Sequence, residues 1–453
     1  MKKIIYILCL YFIYTSCENF TEIDSPVTVI PSQEVFNDYQ TAQASLAHIY
    51  SKLFSDVLVT GSTSGIGILM GAYSDELTYY NTSSPSVSFY NNQVTPTDFT
   101  LTSLWDKSYN LIYATNSIIT GVKNSNKLNT EQKKILLGEA YFLRAYIHYF
   151  ILELFGKAPY ITSTDFTINS KVSKLTEDLY LSQLEDDLQI SYNYLDNVPL
   201  TPLRTKPSYL SCQSLLAKVN LLKGNWSQAI KFCNDIINSS DLKIENNLDI
   251  VFLKESQETI WQLSNPTNGG NTLEATSYIF ISTPPPLFSL NEKLIESFEL
   301  NDLRKEKWIG TLSNNTNTYA YSYKYKQNKN TANSLEHSIQ LRLAEIYLIR
   351  AESYIQSNQI ELGIQDINTI RNRANLTAIQ TNNTIDAMTF LEQEKRHELF
   401  CEQGHRFFDL KRWNKLDSAL KSKSSWYSHF KNLPLPEKEL LLNPNLNPQN
   451  NGY

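Results

Sequence analysis

Chemistry-bearing motifs are scarce in this 453-residue sequence. It holds no Gly-x-Ser-x-Gly elbow, so the usual seat of a serine nucleophile is missing. It holds no glycine-rich phosphate loop either, and only 14 glycines in all. Of its five cysteines none forms a CxxC pair, and beyond Cys9 and Cys17 an odd number is left, so no disulfide framework is implied. Cys212 and Cys233 can pair if their helices are neighbours, whereas buried free thiols are the expected state. No basic block offsets the net charge of −6, which excludes nucleic acid as a partner. After the N-terminal leader no uninterrupted apolar run reaches membrane-spanning length.

That leader is read as a targeting segment. Lys2 and Lys3 precede the apolar run Ile4 to Tyr14, which is too short for a final transmembrane anchor. The run ends in Tyr14-Thr15-Ser16-Cys17, which looks like a lipobox with Cys17 as the acylated residue and Tyr in place of the usual Leu. The alternative is an ordinary secretory signal with Cys17 incidental. Residues 1–17 are therefore set apart as a lipoprotein signal peptide, and 18–453 as one domain anchored by lipid and otherwise soluble.

What the chain does have is helical periodicity and tyrosine. Ala344, Tyr347, Leu348, Ala351 and Ile355 step at three and four residues, and Tyr141, Ala145, His148 and Leu152 repeat the stripe. Helices are expected over Ala42–Phe54, Leu104–Gly121 with Glu131–Phe155, Tyr209–Lys223 with Trp226–Asn238, and Gln340–Ser357 with Ile360–Asn375. Tight links at Gly224-Asn225 and Asn358-Gln359 make the last two pairs look like tetratricopeptide-type units, with Ala217, Gly224 and Ala229 at close-packing positions. The fold class is thus mainly α: a tetratricopeptide-like helix-pair scaffold (roughly 40–60, 104–155, 209–239 and 340–375) with small β elements. Long irregular regions interrupt it at roughly 61–100 and 265–335, where function is expected. Tyr319, Tyr321, Tyr323 and Tyr325 alternate at period two, so that stretch also reads as a strand.

The densest cluster of charge is Glu394 to Trp413, EKRHELFCEQGHRFFDLKRW. Glu394, Glu398 and Glu402 at four-residue spacing line one helix face, Gly404 falls where the helix should end, and Asp409 can pair with Arg406 or Arg412. His397-Glu398-Leu399-Phe400-Cys401 falls one residue short of the zinc motif HExxH. His397, Cys401 and His405 do step by four, but a glycine break before the third argues against a metal site, so none is expected. Asp186 and Asp187, adjacent on a helix, diverge, and with Asp75-Glu76 they make no evident catalytic pair. No enzymatic activity and no cofactor are expected. Trp105, Trp226 and Trp413 are expected in the core.

The same run resembles the C-terminal signature of the SusD/RagB family, outer-membrane nutrient-binding lipoproteins of Bacteroidetes. RLAEIYLIRAESY (Arg342 to Tyr354), DINTIRNRANL (Asp366 to Leu376), LPLPEKEL (Leu433 to Leu440) and the closing NPNLNPQNNGY agree in order. So do SDE (Ser74 to Glu76) and WDKSYNLIYATNSII (Trp105 to Ile119). The resemblance implies a lid on a SusC-type TonB-dependent outer-membrane transporter, facing the cell exterior and delivering oligosaccharides or polysaccharides. The acidic Glu18, Glu22 and Asp24 resemble a surface-export signal of that group. The alternatives are peptide or glycopeptide capture, or a tetratricopeptide scaffold for protein partners. Sugar rings stack on aromatic faces while amides orient their hydroxyls. Tyr79, Tyr80, Phe89, Tyr90, Asn91 and Asn92, which follow SDE, are the candidate ligand residues. The family's later loop region adds Tyr278 and Phe280.

Overall fold

The computed structural model describes residues 32–453, so the leader and Cys17 lie outside the described residues. The scaffold is a stack of helices: α1 Tyr39–Ser55, α2 Phe99–Asn124, α3 Thr130–Phe155, α4 Glu177–Leu195, α5 Tyr209–Leu222, α6 Trp226–Ile237, α7 Leu343–Gln356, α8 Ile360–Arg373 and α9 Thr384–Leu399. From α2 to α8 each helix packs on the next, and α9 closes against α7 and α8. Helix α3 is the centre. Asn129 and Gln132 close a capping box at its start, and every residue from Leu136 to Phe155 is buried. It is long and apolar enough to cross a bilayer by composition, yet it is the buried core of the stack.

The two helix pairs read from the sequence form as expected. Gly224 turns α5 into α6 at φ +70°, and Asn358 turns α7 into α8 at φ +61°. The pairs then join across a long stretch of sequence. Arg350 on α7 bonds Asn234 on α6 at 2.7 Å and grips Asp366 on α8 with two bonds of 2.7 and 2.8 Å.

Three short antiparallel sheets sit on the stack. β1 (Leu77–Tyr79) pairs with β3 (Phe288–Leu290), β2 (Thr259–Leu263) with β6 (Ser338–Arg342), and β4 (Ile309–Ser313) with β5 (Thr318–Ser322). Of the four alternating tyrosines, Tyr319 and Tyr321 therefore do mark a strand, and Tyr323 and Tyr325 lie beyond its end. Beneath the sheets Phe252, Trp308 and Phe400 centre a second apolar cluster, separate from the main core along the helices. The C-terminal tail docks through its amides: Asn443 donates to the Val172 carbonyl and Asn450 to that of Phe155, each at 2.8 Å. Tyr453 is pinned by its hydroxyl to the Asn432 carbonyl at 3.2 Å.

Four features depart from expectation. The 61–100 region contains a buried helix, Ile66–Tyr73, whose apolar run has no polar face and so no helical period to read. Helix α4, unassigned to any pair, fills the space between α3 and α5. Residues 340–342 belong to β6, and α7 starts only at Leu343. Helix α9 stops at Leu399, before Gly404, which instead opens the helix His405–Arg412 in a left-handed conformation (φ +77°).

Candidate functional site

The signature run builds a buried ion-pair network. Glu394 and Glu398 project from α9, and Glu402 joins them although the helix has ended, because Cys401 and Gln403 turn the chain at positive φ. Glu398 is fully buried and receives Arg342 at 2.6 Å, Arg304 at 3.1 Å and Arg373. Those guanidiniums hold its carboxyl far below the usual carboxylate range. Arg304 also reaches Asp302 and Glu394, Arg342 reaches Glu258 and Glu402, and Lys324 reaches Glu402 at 2.5 Å. Asp409 pairs with Arg412 at 2.7 Å and Lys395 at 2.9 Å. Arg406, the other partner expected for it, goes to Asp75 and Glu392. Each acid is matched by a base, so the cluster ties α9 to β6, to the end of α8 through Arg373 and to the short helix Leu303–Lys307 through Arg304 rather than offering a free acid.

The three residues at metal-like spacing go to separate partners. His397 stacks on Phe298 at 4.4 Å and faces the Ser297 hydroxyl, Cys401 lies beside Tyr278, and His405 faces Glu345. Asp187 is buried against Arg144 and Tyr160 while its neighbour Asp186 points to solvent. Cys212, Cys233 and Cys401 are free buried thiols, which answers the pairing question. Burial pushes the Cys212 thiol up to about 12.

The eight candidate ligand residues divide by exposure. Phe89 and Asn92 are wholly buried: Phe89 meets Tyr73 edge-on, and Asn92, at φ +52°, donates to the Tyr73 carbonyl. Tyr278 is buried against Phe288. These three offer no face to a ligand, because the rings and the amide are spent fastening the loops to the scaffold. Tyr79 and Tyr90 stack on each other (5.3 Å, 20°), with Phe288 beside Tyr79 and the Lys423 ammonium 5.0 Å from Tyr90. Asn91 is half-buried and its carbonyl takes the Ser425 hydroxyl.

Tyr80 is different. It is 40 % exposed, and its ring meets Tyr319 edge-on at 5.5 Å. Tyr319 and Tyr321 occupy the outer face of β5, and Tyr321 touches both Phe280 (5.0 Å) and Tyr323 (5.8 Å). Phe280 is mostly covered by these rings, and Ile281 beyond it is exposed. The result is a strip: Tyr80, Tyr319, Tyr321, Phe280 and Tyr323. Gly310 makes room for it, since it pairs across the hairpin with Tyr321, and a Cβ there would fall 2.3 Å from that ring. Tyr319, Tyr321 and Tyr323 were absent from the expected ligand residues, although their period-two spacing was the signal. What sequence could not show is that β5 lies beside the end of β1.

A groove of about 240 Å³ opens on the far side of the Ser84–Ser86 turn, whose Ser86 hydroxyl bonds Tyr79 at 3.2 Å. Its lining mixes the exposed ring of Phe99 with the hydroxyls of Ser64, Ser84, Thr100 and Ser103 and the Lys107–Asp56 ion pair. Both surfaces suit a neutral polyol: flat rings for CH faces, hydroxyls for hydrogen bonds.

Comparison with known proteins accords with this architecture. Residues 24–221 match the family described as starch-binding associating with outer membrane, and residues 300–453 match the SusD family. SusD-like protein P25 of Formosa agariphila is 24 % identical over the whole of this chain and 99 % of its own. Among solved structures, a SusD superfamily protein from Bacteroides vulgatus superposes with a TM-score of 0.80 at 21 % identity, over 92 % of this chain and 99 % of that one. A laminarin-binding SusD-like protein gives 0.76 at 21 % identity, over 91 % and 99 %. With matches in order at both ends and this fold between them, the chain belongs to the SusD/RagB family.

Proposed function

We propose that this protein is a non-catalytic capture protein for oligosaccharides, which it binds on the Tyr80–Tyr319–Tyr321 strip with the Phe99 groove alongside. In this reading a lipid on Cys17 tethers it to the outer membrane facing outward, and it hands its ligand to a SusC-type TonB-dependent transporter. The observation that carries the proposal is the strip itself, in which the partly exposed rings of Tyr80, Tyr319, Tyr321 and Tyr323 adjoin on one surface. Rings in edge-to-face contact hold one another rigid, so little side-chain entropy is lost when a sugar stacks. The neighbour described as laminarin-binding supports the same ligand class. The absence of chemistry fits carboxylates that are already engaged by arginine and lysine near the signature run.

The test is calorimetry with laminarin and soluble starch on the wild type and on Tyr80→Ala/Tyr319→Ala. Binding of one of these glycans that the double variant loses, with an unchanged thermal midpoint, is the expected result. Equal affinity in the variant would remove the strip from the site. Peptide binding in place of glycan binding would replace the ligand class.

A further inference from the structure

Most buried carboxylates among the described residues form an ion pair; Glu76, Glu153 and Glu336 do not, nor does the half-buried Glu274, and of these Glu76 and Glu274 both lie near Cys401. Glu76, 1 % exposed, accepts only a long bond from the Cys401 amide (3.4 Å). Glu274 is partly exposed along its stem, but its Oε2 is closed from solvent and unpartnered, while Oε1 takes the Ser338 hydroxyl at 2.5 Å. Neither forms an ion pair among the described residues. The nearby cations are committed elsewhere: Arg406 to Asp75 and Glu392, and Lys324 to Glu402 and the Glu398 carbonyl.

Glu274 borders Tyr278, and Glu76 is linked to it through Cys401, whose amide donates to Glu76 and whose thiol lies beside the Tyr278 hydroxyl; no oxygen or nitrogen partners that buried hydroxyl. Tyr278 ends the short helix Leu273–Tyr278, and Phe280 of the ligand strip follows two residues later. A cavity of about 20 Å³ lies among Glu274, Tyr278 and Cys401, space for one water-sized molecule through which protons can exchange.

We propose that Glu76 and Glu274 form a proton-operated latch on residues 273–281. Protonated, they leave the segment docked with Phe280 against Tyr321; ionised, they lift it. The charges around them agree. Burial pushes Glu76 up to about 7, with Asp75 raising it further and Arg406 and Lys324 only partly opposing. Burial pushes Glu274 to about 7 as well, with Glu336 and Glu402 on the same side and the Ser338 bond opposing. Since the folded values lie above the unfolded one, docking is strongest below about 4.5 and is lost as pH rises through about 7. The consequence for ligand capture rests on the strip being the binding face. The latch itself does not.

Hydrogen exchange of the full chain from pH 5 to 8, corrected for the intrinsic chemical rate, tests it. The opening constant of 273–281 should rise by up to roughly 100-fold per pH unit below pH 7 and level off above, while helix α8 stays flat. Glu274→Gln, which keeps the shape and the Ser338 contact, should cut that slope to roughly tenfold per unit. A wild-type profile for 273–281 no steeper than that of α8 overturns the latch without any variant. So does an unchanged slope in Glu274→Gln. Laminarin affinity left intact by Tyr319→Ala would sink the strip and leave this exchange profile standing.

Discussion

Replacing Glu398 by Gln isolates what the buried network contributes. The side chain keeps its shape and loses its charge, so Arg304, Arg342 and Arg373 face an amide whose Nε2 is itself a donor. Each guanidinium keeps another carboxylate: Arg304 has Asp302 and Glu394, Arg342 has Glu258 and Glu402, and Arg373 has Glu258. The network therefore survives with Arg304, Arg342, Arg373 and Lys324 balanced by Asp302, Glu258, Glu394 and Glu402, but three guanidiniums lose the carboxylate they shared in a water-free site. Removing one partner of a buried pair costs about 3–5 kcal/mol, because the remaining charge stays desolvated. The folded-state pKa of Glu398 is depressed, so its contribution is present above about pH 4.5 and fades as pH falls further. Urea unfolding followed by tryptophan fluorescence suits the test, since Trp308 is fully buried with Lys324 5.1 Å from its ring. At pH 7 the Gln variant should lose about 3–5 kcal/mol, and the difference should shrink in acid. A loss under about 1 kcal/mol at pH 7, or one that persists unchanged at pH 3, would refute the reading of Glu398 as an electrostatic tie between α9 and its neighbours.

Other perturbations separate site from scaffold. Gly310→Ala should displace the Tyr321 ring and weaken the affinity for any glycan the wild type binds at least about tenfold while changing unfolding free energy by less than about 1 kcal/mol, because the obstacle is a movable side chain; unchanged affinity would count against the strip. Lys423 donates to the carbonyls of Ala72 (2.7 Å), Tyr73 (3.2 Å) and Ser74 (3.0 Å) at the end of the helix Ile66–Tyr73. Lys423→Met should therefore cost about 2–3 kcal/mol in urea unfolding, and a wild-type midpoint would show those carbonyls to be satisfied otherwise. Cys212, Cys233 and Cys401 should stay unreactive to Ellman's reagent in the native protein and all react in guanidinium without reductant; a requirement for reductant would reveal a disulfide.

The helix pairs, the charge cluster and the family were legible from the order of residues alone. Stripes at three- and four-residue spacing such as Ala344–Ile355 need only local geometry, and the turns at Gly224 and Asn358 carry their own conformational signal. The sequence missed the helix Ile66–Tyr73, since a segment buried on all sides has no polar face to mark its period. It placed Gly404 at the end of α9, whereas the chain turns earlier through Cys401 and Gln403. The ligand face is where local reasoning stopped. Phe89 and Tyr80 are equally aromatic and belong to the same loop region, yet one is wholly buried and the other 40 % exposed. Only the pairing of β1 with β3, and of β4 with β5 beside them, settled which rings face water. The first of these joins residues more than two hundred positions apart, so exposure and the convergence of Tyr80 with Tyr319 are properties of the packed molecule.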